Sequence, residues 1–397
     1  MAKPRGKCEV LVLNQIAQVG LRRFPPEKYS ILKEAKDPAA ILVRSADLHK
    51  HPFGPSLKAV GRAGAGVNNI PVAALSKRGV PVFNAPGANA NAVKELVIAG
   101  LLIAARNLEA ALAFTKNLKK EDLEKTVEDG KKQFAGVELP GHTLGLIGLG
   151  KIGSLVADAA IRLGMNVLGY DPHITVEAAW SLPSQVKRAN SIDEVLKASH
   201  FVSLHVPLVD KTRHMVNAKN VELMHHGAVL LNFSRDGVVA EEAVLKGLES
   251  GRLKWYVTDF PSEQLIGRAG VVALPHLGAS TREAEDNSAI MVVDQVREYL
   301  ENGSLQNAVN FPEAVMPREA PYRLAIANAN VPDMLGRISH ALGRRKINIH
   351  NMLNKSRGEM AYTLVDVDSA VPRTVTKRIA AIEGVLAVRY LPVAPVA

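Results

Sequence analysis

Short apolar runs of strand length alternate with longer segments of helical spacing through the middle of this chain. Runs at residues 143–147, 166–170, 201–205, 228–233, 255–259 and 271–274 are rich in Val and Leu, and a helical stretch over about 151–163 follows the first. Near-continuous apolar strands separated by helices predict a parallel sheet covered on both faces, the doubly wound α/β arrangement. Residues 1–85 alternate in the same way, with strands expected at 9–13, 40–43, 59–60 and 80–83 and glycine turns at 61 and 64–66. A long helix leads away from about Asn91. The charged segment 116–132 follows it, and there Lys119, Lys120, Glu121, Asp122, Glu124 and Lys125 read as a solvated helical face.

Residues 280–301 have the spacing of a long helix, capped by Ser280 or Thr281 with Glu283 nearby. Its expected role is to carry the chain back to the first block, making that block discontinuous. After a Pro-bearing linker at 310–321 the pattern changes to strands at 322–328, 349–355, 361–367 and 385–390 with helices at 332–346 and 371–381. That order is a βαββαβ unit of about 75 residues, expected to stand apart from the larger sheets.

Composition narrows the class. With 397 residues, two or three domains are expected, and 47% hydrophobic and 22% charged residues with a mean hydropathy of +0.03 describe a globular protein. The single Cys8 cannot form an internal disulfide, which fits a reducing, cytoplasmic setting. The basic start runs straight into the strand at 9–13, without a signal-peptide core. The most apolar stretch, 92–114, holds Lys94, Glu95, Arg106 and Glu109, so it reads as a long buried helix at a domain junction and not as a membrane span. The net charge of +10 is scattered along the chain with no dense basic tract. It is read as a field that gathers anionic small molecules, not as a nucleic-acid footprint.

Candidate chemistry begins at Gly148-Leu149-Gly150-Lys151-Ile152-Gly153, between a strand and a helix, with Asp171 about twenty positions on. In that context Gly148 permits a tight turn, Gly150 lets the backbone approach a pyrophosphate, and Gly153 lets helix and strand pack closely. The helix N-terminus offers free N–H groups and partial positive charge. Asp171 would accept hydrogen bonds from ribose hydroxyls and repel a 2′-phosphate, which favours NAD over NADP.

Arg235, Glu263 and His276 each fall just after one of the last three strand runs. Loops at the carboxyl ends of strands form the ligand crevice of an open α/β sheet. Moving a hydride from a hydroxy acid needs a base for the hydroxyl proton, and imidazole titrates nearest to neutral pH. Glu263 would pair with His276 and fix its tautomer, and the planar fork of Arg235 suits a substrate carboxylate or carbonyl. His225 and His226 precede Gly227 at an expected helix end, and no set of residues has the spacing of a metal site.

Five segments carry a wider resemblance: 145–153 (Gly-Leu-Ile-Gly-Leu-Gly-Lys-Ile-Gly), 204–207 (Leu-His-Val-Pro), 232–235 (Asn-Phe-Ser-Arg), 259–263 (Asp-Phe-Pro-Ser-Glu) and 275–281 (Pro-His-Leu-Gly-Ala-Ser-Thr). Residues 1–310 resemble the D-isomer-specific 2-hydroxyacid dehydrogenase family. Segments 61–69 and 83–91 are similar to its members that act on 3-phosphoglycerate, and the C-terminal unit is similar to an ACT domain, a regulatory module. The resemblance implies a discontinuous flavodoxin-like substrate domain (1–90 and 282–312), a Rossmann NAD-binding domain (91–281) and an ACT domain (321–397). It implies NAD-dependent oxidation of 3-phospho-D-glycerate to 3-phosphooxypyruvate, the first step of L-serine synthesis.

By matching motif, His276 is the proton donor and acceptor, Glu263 its partner and Arg235 the substrate-orienting residue. Val206, Pro207, Phe233, Ser234, Asp259 and Gly278 would line the cofactor with Arg235, His276 and the glycine turn. Arg62, with Arg44 second, and the Gly64 turn would meet the substrate phosphate, a placement that also follows from a cation beside a glycine-rich anion site. Asn330 and Asn348 are the candidate residues for an L-serine effector.

Two positions depart from the family pattern. The family's aspartate lies five residues before the glutamate, whereas Asp259 and Glu263 are four apart and Thr258 takes the aspartate's place. In the C-terminal unit Asn328 stands where serine-binding relatives carry His, and Asp333 where Gly is usual. A purely structural, dimerising C-terminal unit is therefore the alternative to serine feedback. A homo-oligomer, dimer or tetramer, is expected because such sheets leave edges that pair between chains. The rival activities are a hydroxypyruvate or glyoxylate reductase and a non-catalytic, NAD-sensing co-repressor-like protein.

Overall fold

The computed structural model describes residues 6–118 and 123–393, so Lys119, Lys120, Glu121 and Asp122 of the expected charged helix lie outside the described residues. The chain divides into two compact units, one made of residues up to Asn89 together with those from Arg282 onward, the other of Ala90–Thr281.

The first unit opens with a parallel sheet of β1 (Cys8–Leu13), β2 (Tyr29–Leu32), β3 (Ala40–Val43), β4 (Ala59–Arg62) and β5 (Val82–Phe83) in the order β2-β1-β3-β4-β5. That is the flavodoxin-like order. Edge strand β2 escapes the sequence pattern because its four residues, Tyr-Ser-Ile-Leu, follow two prolines and are split by a polar one.

In the second unit β6 (Thr143–Ile147), β7 (Asn166–Tyr170), β8 (Lys187–Arg188), β9 (Phe201–Leu204), β10 (Ala228–Asn232), β11 (Leu253–Thr258) and β12 (Val271–Ala273) form a parallel sheet ordered β12-β11-β10-β9-β6-β7-β8. The order reverses at the β6–β9 boundary, where doubly wound sheets bind ligands. Six of the seven strands were legible as apolar runs; β8 is two exposed basic residues at the edge and carries no such signal. Register places Ile147 beside Leu204, Leu204 beside Asn232, Asn232 beside Thr258 and Thr258 beside Ala273. Five strands thus end on one level, and the candidate residues leave from that edge.

The apolar stretch at 92–114 is not one helix. It forms Ala90–Ala105 and Leu108–Lys116, bent by 69°. Asn107 breaks it in a left-handed conformation (φ 52°), its Nδ2 donating to the Ala135 carbonyl (2.9 Å) and its Oδ1 accepting from Trp255 Nε1 (3.2 Å). Only the first half is buried; Leu108–Lys116 buries no residue. Among the described residues no single helix is long and apolar enough to cross a membrane.

The C-terminal residues form β13 (Tyr322–Ala329), β14 (Ile349–Arg357), β15 (Met360–Val367) and β16 (Val385–Pro392), antiparallel in the order β14-β15-β13-β16, with helices Met334–Gly343 and Arg373–Ala380 packed on one face. The βαββαβ order is as expected, but the unit does not stand apart. Ala325, Ala327, Tyr362 and Leu364 of its other face share one core with Phe83, Val292, Val296 and Tyr299 of the first unit. Each Val or Leu buried in such a core contributes about 1.5–3 kcal/mol.

Polar groups complete that junction. Arg323 and Asp366 are both 0% exposed and form a two-pronged pair, Nε to Oδ1 at 2.5 Å and Nη2 to Oδ2 at 2.8 Å. The remaining Arg323 donors reach the carbonyls of Asn302 (3.1 Å), Met316 (2.9 Å) and Pro317 (2.9 Å), so every N–H of the guanidinium has an acceptor. Arg389 lies over the Tyr299 ring and donates to the carbonyls of Tyr299 and Leu300, both at 2.7 Å, and the Tyr362 hydroxyl donates to that of Gly303 (2.7 Å). Together these groups cap the last turn of the helix Arg282–Asn302, whose carbonyls have no partners within the helix.

Candidate active site

The glycine turn leaves β6 and starts the helix Lys151–Arg162. Gly148 has φ +96°, and a Cβ there would lie 2.4 Å from the His205 carbonyl oxygen. A Cβ on Gly153 would lie 2.1 Å from the Gly148 carbonyl oxygen. Gly150, the helix N-cap, faces open space instead, with nothing within 4 Å of a built Cβ. The turn is therefore closed beneath and open above, a cradle in which helix N–H groups face an anion. Lys151 is exposed at its rim, and Ile152 packs into the core. Asp171, just past β7, accepts from the Leu149 N–H (2.9 Å) and the His173 N–H (2.9 Å), one on each oxygen. A carboxylate has about four lone-pair directions, so two remain for ribose hydroxyls. These residues fit a dinucleotide.

His205 lies under the turn, in the loop after β9 that continues to Val206 and Pro207. Its Nε2 lies 3.0 Å from Ser203 Oγ, while Nδ1 is buried without a partner among the described residues. Burial pulls the imidazole down to about 4 from its ordinary 6.5. The folded chain thus holds His205 neutral while the unfolded chain takes up a proton as pH falls below 6.5. Stability is intact above that pH and is lost between about 6.5 and 4, up to about 3 kcal/mol. Urea denaturation at pH 7 and pH 4.5 should show that loss shrinking in His205→Asn; an unchanged pH dependence removes His205 as its source.

The other three loops converge on Asp259. The Asn232 side chain, 1% exposed, organises the loop after β10: its Nδ2 donates to the Arg235 carbonyl (3.0 Å) and its Oδ1 accepts from Ser234 Oγ (2.8 Å). Thr258 Oγ1 donates to the Asn232 carbonyl (3.0 Å) and accepts from the Phe260 N–H (3.1 Å), tying the loops after β10 and β11 together. Asp259 is 1% exposed; its carbonyl accepts from the His276 N–H (3.0 Å) and its Oδ2 from the Gly278 N–H (3.2 Å). Asp259 Oδ1 is buried without a hydrogen-bond partner among the described residues. Burial pushes this carboxyl up, and the Gly278 N–H, His276 and Arg235 pull it partly back.

The structure therefore brings Arg235, Asp259, His276 and Gly278 together, with Phe233 and Ser234 buried beside them. His276 is exposed, left-handed (φ 47°), and edge-on to Phe260 with ring centres 5.1 Å apart. Glu263 is exposed in the turn that follows, and among the described residues it shares no hydrogen bond or ion pair with His276. Sequence reasoning gave Asn232 and Thr258 no role. Their signals were an uncharged polar residue ending an otherwise apolar strand, the place of Asn232 in the 232–235 segment and that of Thr258 at the family's aspartate position.

In the first unit, Arg62 ends β4 and folds over the glycine turn. Its Nε donates to the Arg44 carbonyl (3.0 Å) and its Nη1 to the Gly66 carbonyl (2.6 Å). A Cβ on Gly64 would lie 2.8 Å from that Nη1, so the small residue admits the guanidinium. Arg44 pairs with Glu285 on the long helix at 2.8 Å.

Residues 98–278 match the family model of the D-isomer specific 2-hydroxyacid dehydrogenase NAD binding domain. The chain is 36% identical over 325 residues to the D-3-phosphoglycerate dehydrogenase of Methanocaldococcus jannaschii, covering 78% of this chain but only 58% of that protein. It is 32% identical over 349 residues to the D-3-phosphoglycerate dehydrogenase of Haemophilus influenzae, covering 85% of this chain and 82% of that protein. It is also 35% identical over 282 residues to the hydroxypyruvate reductase of Thermotoga maritima, covering 68% and 87%. The unit that holds the glycine turn is accordingly an NAD-binding domain, and the chain belongs to the D-isomer-specific 2-hydroxyacid dehydrogenase family.

Proposed function

We propose that this chain oxidises 3-phospho-D-glycerate to 3-phosphooxypyruvate with NAD, the first step of L-serine synthesis. The observation that carries the substrate is Arg62 folded over the 64–66 turn beside the Arg44 backbone, a cation that an unphosphorylated hydroxy acid does not need. The shared name of the M. jannaschii and H. influenzae relatives supports it. NAD, when bound, accepts the hydride. His276 takes the hydroxyl proton, Glu263 closes onto it and stabilises the imidazolium, and Arg235 holds the substrate carboxylate. The T. maritima relative favours a second reading, hydroxypyruvate reduction. NADH formation at 340 nm decides: turnover of 3-phosphoglycerate in preference to D-lactate, glycerate and 2-hydroxyglutarate is expected, and turnover of unphosphorylated acids alone overturns it.

Glu285 sets the Arg44 side chain at 2.8 Å, with both groups partly exposed. Such pairs are worth about 0.2–1 kcal/mol, so Glu285→Gln should raise KM for 3-phosphoglycerate about two- to five-fold with kcat unchanged. An equal rise for unphosphorylated acids would remove Arg44 from the phosphate site.

The C-terminal unit is read as an ACT-type regulatory module in a homo-oligomer of a cytoplasmic enzyme. Asn330 follows the end of β13 and donates to the Gly358 carbonyl (3.1 Å), while Asn348 precedes β14 and donates to Asp368 (2.6 Å). Asn330 lies beside Glu359 and Asn348 beside Asp368, so register puts them at opposite ends of the sheet, roughly 31 Å apart at 3.4 Å per residue. An L-serine site that uses both residues therefore draws one from each of two copies.

A further inference from the structure

The positive charge that looks scattered along the sequence is gathered by the fold. Residues 321–397 hold eleven Lys and Arg against five Asp and Glu, so a fifth of the chain carries +6 of the net +10. One of the five acids, Asp366, is buried against Arg323. Seven exposed cations sit on the two helices that cover one face of the sheet: Arg337, Arg344, Arg345 and Lys346 on and just beyond Met334–Gly343, and Arg373, Lys377 and Arg378 on Arg373–Ala380; Lys355 and Arg357 are exposed on β14 instead.

Topology joins these two groups. Strand β13 runs antiparallel to β15, with Tyr322 beside Val367 and Ala329 beside Met360. The first helix therefore travels from the Ala329 end to the Val367 end, and the second starts there and travels back. Arg344, Arg345 and Lys346 meet Arg373 at one end of this face. Among the described residues none of Arg344, Arg345, Lys346, Arg373, Lys377 and Arg378 forms an ion pair. Packed helices lie about 8–10 Å apart, within a Debye length of about 8 Å to 10 Å, so these charges repel one another across the pair. Such a face is stabilised by a polyanion.

We propose that this helical face binds nucleic acid through its phosphodiester backbone. Five of the seven cations are arginines, whose planar fork pairs with phosphate through two hydrogen bonds. Among the described residues the only large apolar side chains exposed along this face are Val331 and Leu335, at the end away from Arg344 and Arg373, and its two helices expose no Phe, Tyr or Trp, the His340 imidazole being their only exposed ring. That leaves no anchor for a membrane surface and no row of rings on which successive bases could stack, so binding is independent of sequence.

The test is fluorescence anisotropy of the full chain with a labelled single-stranded RNA and a DNA duplex of about 20 units each. Contacts to four phosphates give log–log salt slopes of about −3 for the single strand and about −4 for the duplex, with affinities of about 10⁻⁴ M to 10⁻⁶ M at physiological salt. Combining Arg344→Glu, Arg345→Glu and Arg373→Glu should weaken binding at least ten-fold and flatten the slope, with the thermal midpoint unchanged. The control, Lys33→Glu with Lys36→Glu on an exposed loop of the first unit, should stay within two-fold. Equal weakening in the control, no binding at low salt, or binding to phosphatidylserine vesicles without binding to nucleic acid overturns the proposal.

Discussion

Replacing Arg323 by alanine should destabilise the first unit by about 3–5 kcal/mol, a large share of the stability of an ordinary domain. The guanidinium is fully buried with all its donors satisfied, and its removal strands the Asp366 carboxylate without water or a cation. It also frees the carbonyls of Asn302, Met316 and Pro317. Asp366→Asn should cost a similar amount, because it leaves the buried Arg323 guanidinium without its counter-ion and turns an amide NH2 toward its donors. Because the C-terminal sheet shares a core with β5 and the long helix, the loss should appear as one cooperative transition of the whole first unit. Deleting residues 321–397 should have the same effect, more strongly. A denaturation midpoint shifted by less than the equivalent of 1 kcal/mol in Arg323→Ala would show that the pair is dispensable.

His276→Asn should lower kcat by about 10²- to 10⁴-fold, the usual worth of a general base. Asparagine is the better substitution because His276 has φ 47°, a conformation that Asn tolerates and Ala does not. The loop should then keep its Asp259–His276 and Asp259–Gly278 hydrogen bonds, since both use main-chain donors of the loop. NADH affinity, read from fluorescence quenching, should stay within about two-fold. A variant that retained turnover would take the base role from His276. One that lost NADH binding as well would show that the ring holds the cofactor and not the proton.

The parts of this protein that were legible in the sequence are those where one physical requirement dominates a short stretch. The glycine turn is readable because Gly148 and Gly153 have no room for a Cβ, and six strands are readable because burial on both faces makes them continuous apolar runs. Arg235, His276 and Asp259 could be placed because register aligns the strand ends that precede them. What stayed hidden depends on partners distant in the chain. Arg323 looks like an ordinary polar position in a strand until Asp366 and three carbonyls surround it. Asn107 interrupts an apolar run only because Ala135 and Trp255 hold it. The pairing of Glu263 with His276 is absent here, and nothing local in the sequence sets the conformation of an exposed turn.

The division of the first unit between the two ends of the chain also bears on its synthesis. Residues 90–281 form a contiguous unit that can complete its core as soon as it has left the ribosome. The N-terminal sheet cannot, because its core closes only with the long helix and with Tyr362 and Leu364. About 300 residues separate Asn89 from the end of β16, roughly 15–60 s at 5–20 residues per second. Until then the core over β1 to β5 is incomplete, exposing apolar strand faces to any other nascent chain. The N-terminal sheet is thus made before the 90–281 unit but completed after it, and the yield in the cell should depend more on chaperone supply during translation than on the stability of the finished fold.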